Sequence, residues 1–295
     1  MRVTFNALNN GLDAINTAAD QFIEAQWQVS TGKRLRQLST DPAAAQRSVV
    51  ERAALANVDS YQRAGSASST RLATLDQTLS DMVEQIIRAQ VAASSGRPDT
   101  ASDTTRASAA VTLQGIRDAI AGNINTQVQG VYLFGGSATD QPPYVASGGA
   151  WTYQGDTDAV MAEVDSGRRV TLTLDGRAIL QGSDSADLLT TMDALTTAVQ
   201  SGDTAAIDAG IGALDRALQR VSRALSLVGT DQVSVEDSGR HLTALHLAGE
   251  KRVSELEDAN LAEAITRMSR AQTAYNAALG AVGTAGRNSL LNYLT

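Results

Sequence analysis

Residues 261–294 read LAEAITRMSRAQTAYNAALGAVGTAGRNSLLNYL. Within this stretch Leu261, Ile265, Met268, Gln272, Tyr275, Leu279, Val282, Gly286, Ser289 and Tyr293 recur at alternating intervals of four and three. That interval averages about 3.5 residues, the period of a helix that wraps around another helix. The start of the chain has the same spacing, in Met1, Phe5, Leu8, Leu12, Ile15, Ala19, Phe22, Gln26 and Val29. Two such helices at opposite ends of one chain predict a terminal pair that brings the ends together.

The C-terminal helix carries a second row as well, Ala271, Ala274, Ala278, Ala281 and Ala285, with close-approach glycines at 280, 283 and 286. A helix that is apolar on more than one side needs more than one cover. The N-terminal helix has Ala7, Ala14, Ala18 and Ala25 off its main row. One reading has the leftover stripe meet another subunit, since exposed apolar stripes mark interfaces. The other is a closed intramolecular bundle, with alanine present for its helix propensity.

Working inward, the first helix is expected over about 3–33. It breaks within Ser39-Thr40-Asp41-Pro42, where Thr40 or Asp41 caps and Pro42 starts the next helix. That second helix runs over about 43–94, with Ser68, Leu72, Leu75, Leu79, Met82 and Ile86 on one side. Turn residues around Pro98 end it. A third helix covers about 102–129, facing inward through Leu113, Ile116, Ile120, Ile124 and Val128.

The texture changes at Gly130. Short β-type runs follow at 131–134, 151–153, 160–164 and 170–174, the last two spaced as a hairpin. Helices resume over 188–199 and 205–228, the second facing inward through Ile207, Ile211, Leu214, Leu218, Val221 and Leu225. A break is expected at Gly229-Thr230, followed by a last helical region over about 233–294 containing one kink. The fold class is therefore mainly α: a long antiparallel helical bundle or coiled coil formed by the N- and C-terminal segments, with a small β-rich domain inserted in the middle. The expected divisions are 1–40, 41–130, 131–184, 185–254 and 255–295.

Composition agrees with thin helical contacts. Aromatics are 4% and charged residues 19% of 295 residues, too few large side chains for a wide central core. Net charge is −8, the wrong sign for neutralising phosphates, so no nucleic-acid partner is expected. No apolar run is long enough to span a bilayer, and no membrane partner is expected. The first residues lack the pattern of a cleaved secretory signal. Cysteine is absent, which excludes disulfides and thiolate metal sites.

Nothing in the chain spells a catalytic, cofactor-binding or metal site. His241 and His246 are five apart, about 500° around a helix, a poor metal pair. Asp156, Asp158, Glu163 and Asp165 gather in the β insert, but acid–base work needs an apolar pocket to separate paired carboxylates. A solvated surface is the plainer reading. Trp27 lies off the main row and either anchors a neighbouring subunit or packs at the Pro42 corner.

Three groups of residues resemble a known family. Ser30-Thr31-Gly32-Lys33-Arg34-Leu35 with Ser39-Thr40-Asp41-Pro42-Ala43-Ala44-Ala45 is similar to the N-terminal signature of bacterial flagellins and hook-associated proteins. Ser254-Glu255-Leu256-Glu257-Asp258-Ala259-Asn260 with Ser289-Leu290-Leu291-Asn292-Tyr293-Leu294 is similar to the C-terminal one. Gly130-Val131-Tyr132-Leu133-Phe134-Gly135-Gly136, Pro142-Pro143-Tyr144 and Tyr153-Gln154-Gly155-Asp156 resemble the branch that joins hook to filament more than filament flagellin.

The resemblance implies a structural, non-enzymatic subunit in an extracellular flagellum, exported without a cleavable signal. It implies self-association, contact with a neighbouring hook-associated protein and with flagellin, and an export chaperone at the C-terminal helix. No cofactor is implied. The expected assembly seam is Phe5, Leu8, Leu12, Ile15, Phe22, Val29, Leu261, Ile265, Met268, Tyr275, Leu279, Val282 and Tyr293. The alternatives are a filament flagellin or, from another class, an enzyme with its site in the β insert.

Overall fold

A computed structural model describes residues 2–37, 39, 41–97, 101–148 and 150–294, with side chains over 10–37, 39, 41–97, 101–148 and 150–284. Helix α1, Arg2–Thr31, ends at Gly32, whose φ of +68° supplies the left-handed conformation that a helix end favours. Helix α2, Pro42–Ser95, starts with proline in its first turn, and the Asp41 carboxylate accepts from the Ala44 N–H at 3.0 Å. The alternative cap, Thr40, and the Pro98 break lie outside the described residues. Helix α3, Asp103–Ile124, is capped by Ser102.

The expected third helix stops five residues early. Strand β1, Gln127–Val128, pairs with β2, Val131–Tyr132, across Gln129 and Gly130, both at positive φ. A two-residue turn of that kind matches the twist of a hairpin, so it displaces the last helical turn. Strand β3, Tyr144–Ser147, pairs with β4, Ala150–Tyr153, and β5, Met161–Asp165, pairs with β6, Arg168–Thr171. The short helix α4, Gly176–Leu180, and helix α5, Leu188–Ser201, lead into α6, Thr204–Glu257, and α7, Leu261–Leu294.

The expected break at Gly229-Thr230 does not occur, and α6 runs straight through it. One glycine costs a helix about 1 kcal/mol. Buried Val228 and Val235 on either side hold the helix in the core. The real break is Asp258–Asn260, where the Asn260 side chain accepts from the N–H groups of Ala262 and Glu263 and caps α7.

The chain forms two compact units, Asp59–Ala244 and Met1–Val58 with Leu245–Thr295. In the first, Leu72, Leu75, Leu79, Met82 and Ile86 of α2 are fully buried, as their spacing predicts. They share one core with Leu113 and Ile120 of α3, Met192 and Leu195 of α5, and Leu214 and Val221 of α6. In the second, every buried apolar side chain among the described residues is an alanine: Ala18, Ala25, Ala44, Ala45, Ala264 and Ala271.

Candidate assembly interface

Helices α1 and α7 pack on each other, and small residues set the contact. On α1 the least exposed row is Gly11, Ile15, Ala18, Phe22, Ala25 and Val29; on α7 it is Ala264, Met268, Ala271, Tyr275, Ala278 and Val282. Both keep the four-three spacing. A Cβ at Gly11 would come within 2.7 Å of Val282 Cγ2, so the missing side chain makes room for that valine.

The expected seam therefore divides. Ile15, Phe22, Val29, Met268, Tyr275 and Val282 lie in the half-buried rows. Leu12, Leu261, Ile265 and Leu279 do not; they are 47%, 50%, 51% and 44% exposed. The side chains of Phe5, Leu8 and Tyr293 lie outside those described. The division is a partial rotation: Ala18, Ala25, Ala271 and Ala278 turn inward beside half of the expected seam, Ala14, Ala274 and Ala281 stay exposed, and Leu12, Leu261, Ile265 and Leu279 turn outward. Small residues at alternate positions of each row let the two helices come to short range, while Ile15, Phe22, Met268 and Tyr275 keep half-buried places in the same rows. Around α7, at about 100° per residue, Leu261, Ile265, Gln272 and Leu279 share one flank of the buried row. On the other flank, Ala274, Arg267 and Arg270 line an open groove of about 720 Å³ with Gln21, Glu24 and Gln28 of α1.

Below the pair, the segments quoted for the family resemblance meet one another. The N–H of Arg34 donates to the Glu257 carbonyl at 2.6 Å, and that of Ala259 to the Gly32 carbonyl at 2.8 Å. Lys33 Nζ lies 2.6 Å from Asp258 Oδ1 and 3.5 Å from Glu257 Oε2. Arg34 reaches the Leu256 carbonyl at 2.8 Å and Asp41 at 3.2 Å. The Glu257 carboxylate accepts from Arg52 Nε and Nη2 at 2.7 and 2.5 Å and from the Ser48 hydroxyl. Those bonds, led by Arg52 and aided by the Lys33 charge, outweigh the cost of burial and hold its pKa down to about 2. Trp27, half-buried, sits one turn before the α1 terminus, and its carbonyl accepts from the Ser30 and Thr31 hydroxyls.

In the insert, the third quoted group also closes on itself. The Tyr153 hydroxyl donates to the carbonyls of Phe134 and Asp156 at 3.2 and 3.0 Å. A Cβ at Gly155 would fall 2.7 Å from the Gly135 carbonyl, so backbone passes directly over backbone. The carboxylates of Asp156, Glu163 and Asp165 are occupied with turns. Asp156 accepts from the N–H groups of Ser137 and Asp158, and the Ser137 contacts hold its pKa below the usual range. Glu163 accepts from the Gly167 N–H, and Asp165 from that of Ser166. His241 is exposed on α6, while His246 lies 3.7 Å from Glu250. Among the described residues no group of three His, Asp or Glu is placed to hold a metal ion, and no helix is long and apolar enough to cross a membrane.

Comparison with known proteins fits this arrangement. The profile of the bacterial flagellin N-terminal helical region matches residues 4–139, and that of the bacterial flagellin C-terminal helical region matches residues 211–294. The chain is 28% identical over 284 residues to flagellar hook-associated protein 3 of Salmonella typhimurium, 89% of this chain and 88% of that protein. It is 33% identical over 171 residues to flagellar hook-associated protein 3 of Escherichia coli, 55% of this chain and 52% of that protein. In fold it resembles a flagellar hook-associated protein-3 from Legionella pneumophila, with a TM-score of 0.63 at 13% identity, over 70% of this chain and 98% of that one.

Proposed function

We infer, for a chain that belongs to the family of bacterial flagellins and hook-associated proteins, that it is a structural subunit of the flagellum joining hook to filament. The observation that carries this reading is the similarity to hook-associated protein 3 along nearly nine-tenths of both chains. The terminal pair supplies the physics. Leu12, Leu261, Ile265 and Leu279 stand half in water on a pair that has already buried its alanines. Covering each is worth up to about 1.5 kcal/mol, a gain open to a neighbouring subunit.

The role is mechanical. Copies of the chain associate through the terminal helices and contact a neighbouring hook-associated protein on one side and flagellin on the other. The segments 1–40 and 255–295 form the inner layer of that lattice, 41–130 and 185–254 a helical layer outside it, and 131–184 an outer knob. The subunit reaches the cell exterior through the flagellar export route, with a chaperone covering α7 beforehand.

Deleting the gene tests the reading. Cells should keep their hooks and shed filaments into the medium; normal filaments on the deletion strain would overturn it. The flagellin profiles are also compatible with a second reading, a filament subunit, which the similarity to hook-associated protein 3 fits less well. Purified chain that grows unaided into long fibres would select that one. An enzymatic site in the insert predicts that deleting 136–182 abolishes motility while assembly persists; normal motility would remove it.

A further inference from the structure

Glu257 carries its charge at an unfavourable end of a helix. It is the last residue of α6, where the helix carbonyls concentrate negative potential even with Arg34 bonded to two of them. Its side chain is only 11% exposed. A buried charge in such a place is costly unless it is fully paired. Its partners come from two directions: Ser48 and Arg52, one turn apart on α2, and Lys33, just beyond the end of α1. One carboxylate thus ties together the exit of α1, the first turns of α2 and the end of α6.

Its surroundings are charge-balanced. Asp258 pairs with Lys33, Asp41 with Arg34, and Glu51 with Arg252 at 2.9 Å. The two sides of the central contact differ in hydration. The acceptor is withdrawn from water, whereas the side chains of Lys33 and Arg52 are 44% and 61% exposed. Dissolved ions therefore compete for the donors, while the carboxylate regains water only if the joint opens.

We propose that the Glu257 cluster is an ionic latch on the terminal helix pair: shut, it holds α1 and α7 in register before assembly, and salt releases it. Glu257 is a positioning residue, acting on the pair through Ser48, Arg52 and Lys33. The inference rests on the terminal pair being the assembling element, and it is read in the monomer so that the two ideas fail separately.

Hydrogen exchange of the full-length chain, in about 0.05 M and about 1 M sodium chloride, is the test. Amides at 10–31 and 261–284 should exchange about tenfold faster at high salt, with those at 72–86 unchanged. Glu257→Gln should exchange fast at both salts, as should Arg52→Gln, which alters only the exposed donor. Arg52→Lys, which keeps the charge but loses the fork, should fall between. Salt-independent exchange in the wild type, or variants that match it, would overturn the latch. Latch variants that exchange fast yet assemble normally would sink its role in assembly and leave the flagellar reading intact.

Discussion

The two compact units solve burial in opposite ways. Residues 59–244 bury leucine, isoleucine and methionine in one shared core, although Ile87, Val91, Val111 and Leu227 stay exposed. The terminal unit buries alanine and leaves leucine and isoleucine half in water. Both use four-three spacing, so the difference lies in rotation about the helix axis. The first unit has a closed core of large residues. One that seals its small ones keeps binding free energy in reserve for a neighbour.

The sharpest way to break this contrast is to put a charge on the reserve. Leu279→Asp and Leu12→Asp should leave the monomer soluble and folded yet block incorporation, read as loss of motility; normal motility in both would remove the contrast. The next effect is on folding. Leu79→Ala, in the sealed core, should cost about 2–5 kcal/mol in urea unfolding. Leu279→Ala should cost well under about 1 kcal/mol, because its site is already half hydrated. Equal losses would mean that the terminal pair is sealed as well.

Overpacking sharpens the picture from the other side. Ala264→Leu, at a fully buried contact of α7, should destabilise the terminal unit by about 1–3 kcal/mol and raise exchange across α1 and α7. The smallest effect is acid sensitivity. Glu257 is held below a free glutamate, so its contribution is present at neutral pH, begins to fade below about 4.5 and is lost near 2. Protection against exchange at 261–284, relative to the intrinsic rate at each pH, should fall through that window, and Glu257→Gln should flatten the fall.

How much the sequence discloses follows the same line. The period of the terminal helices is legible from spacing, as is the fully buried row from Leu72 to Ile86. Rotation is not legible, because hydrophobicity alone puts leucine inside, whereas the packed pair buries Ala18, Ala25, Ala264 and Ala271 and fits Val282 over Gly11. The break after α6 carried a readable signal: Asn260 with Glu263 three residues on has the spacing of a helix-start box. Gly229 outshone it as a breaker, although the packing of Val228 and Val235 overrides it. Strand β3 was hidden because its partner, Trp151-Thr152-Tyr153, is clear while Tyr144–Ser147 sits beside two prolines. The Glu257 cluster could not be read at all. Ser48 and Glu257 are 209 residues apart, and no local pattern reports a contact of that span.

The two backbone bonds that join Gly32 to Ala259 and Arg34 to Glu257 have a wider consequence. They fasten the outgoing and returning chain side by side, like the neck of a drawstring bag. Whatever length of polypeptide lies beyond that neck, its slack is closed off there, and the ends do not feel it. Lengthening or trimming the contents, in the insert for example, should therefore leave the pairing of the ends as it is. A filamentous machine could vary its outer surface freely on such a fastening while its inner packing stays fixed.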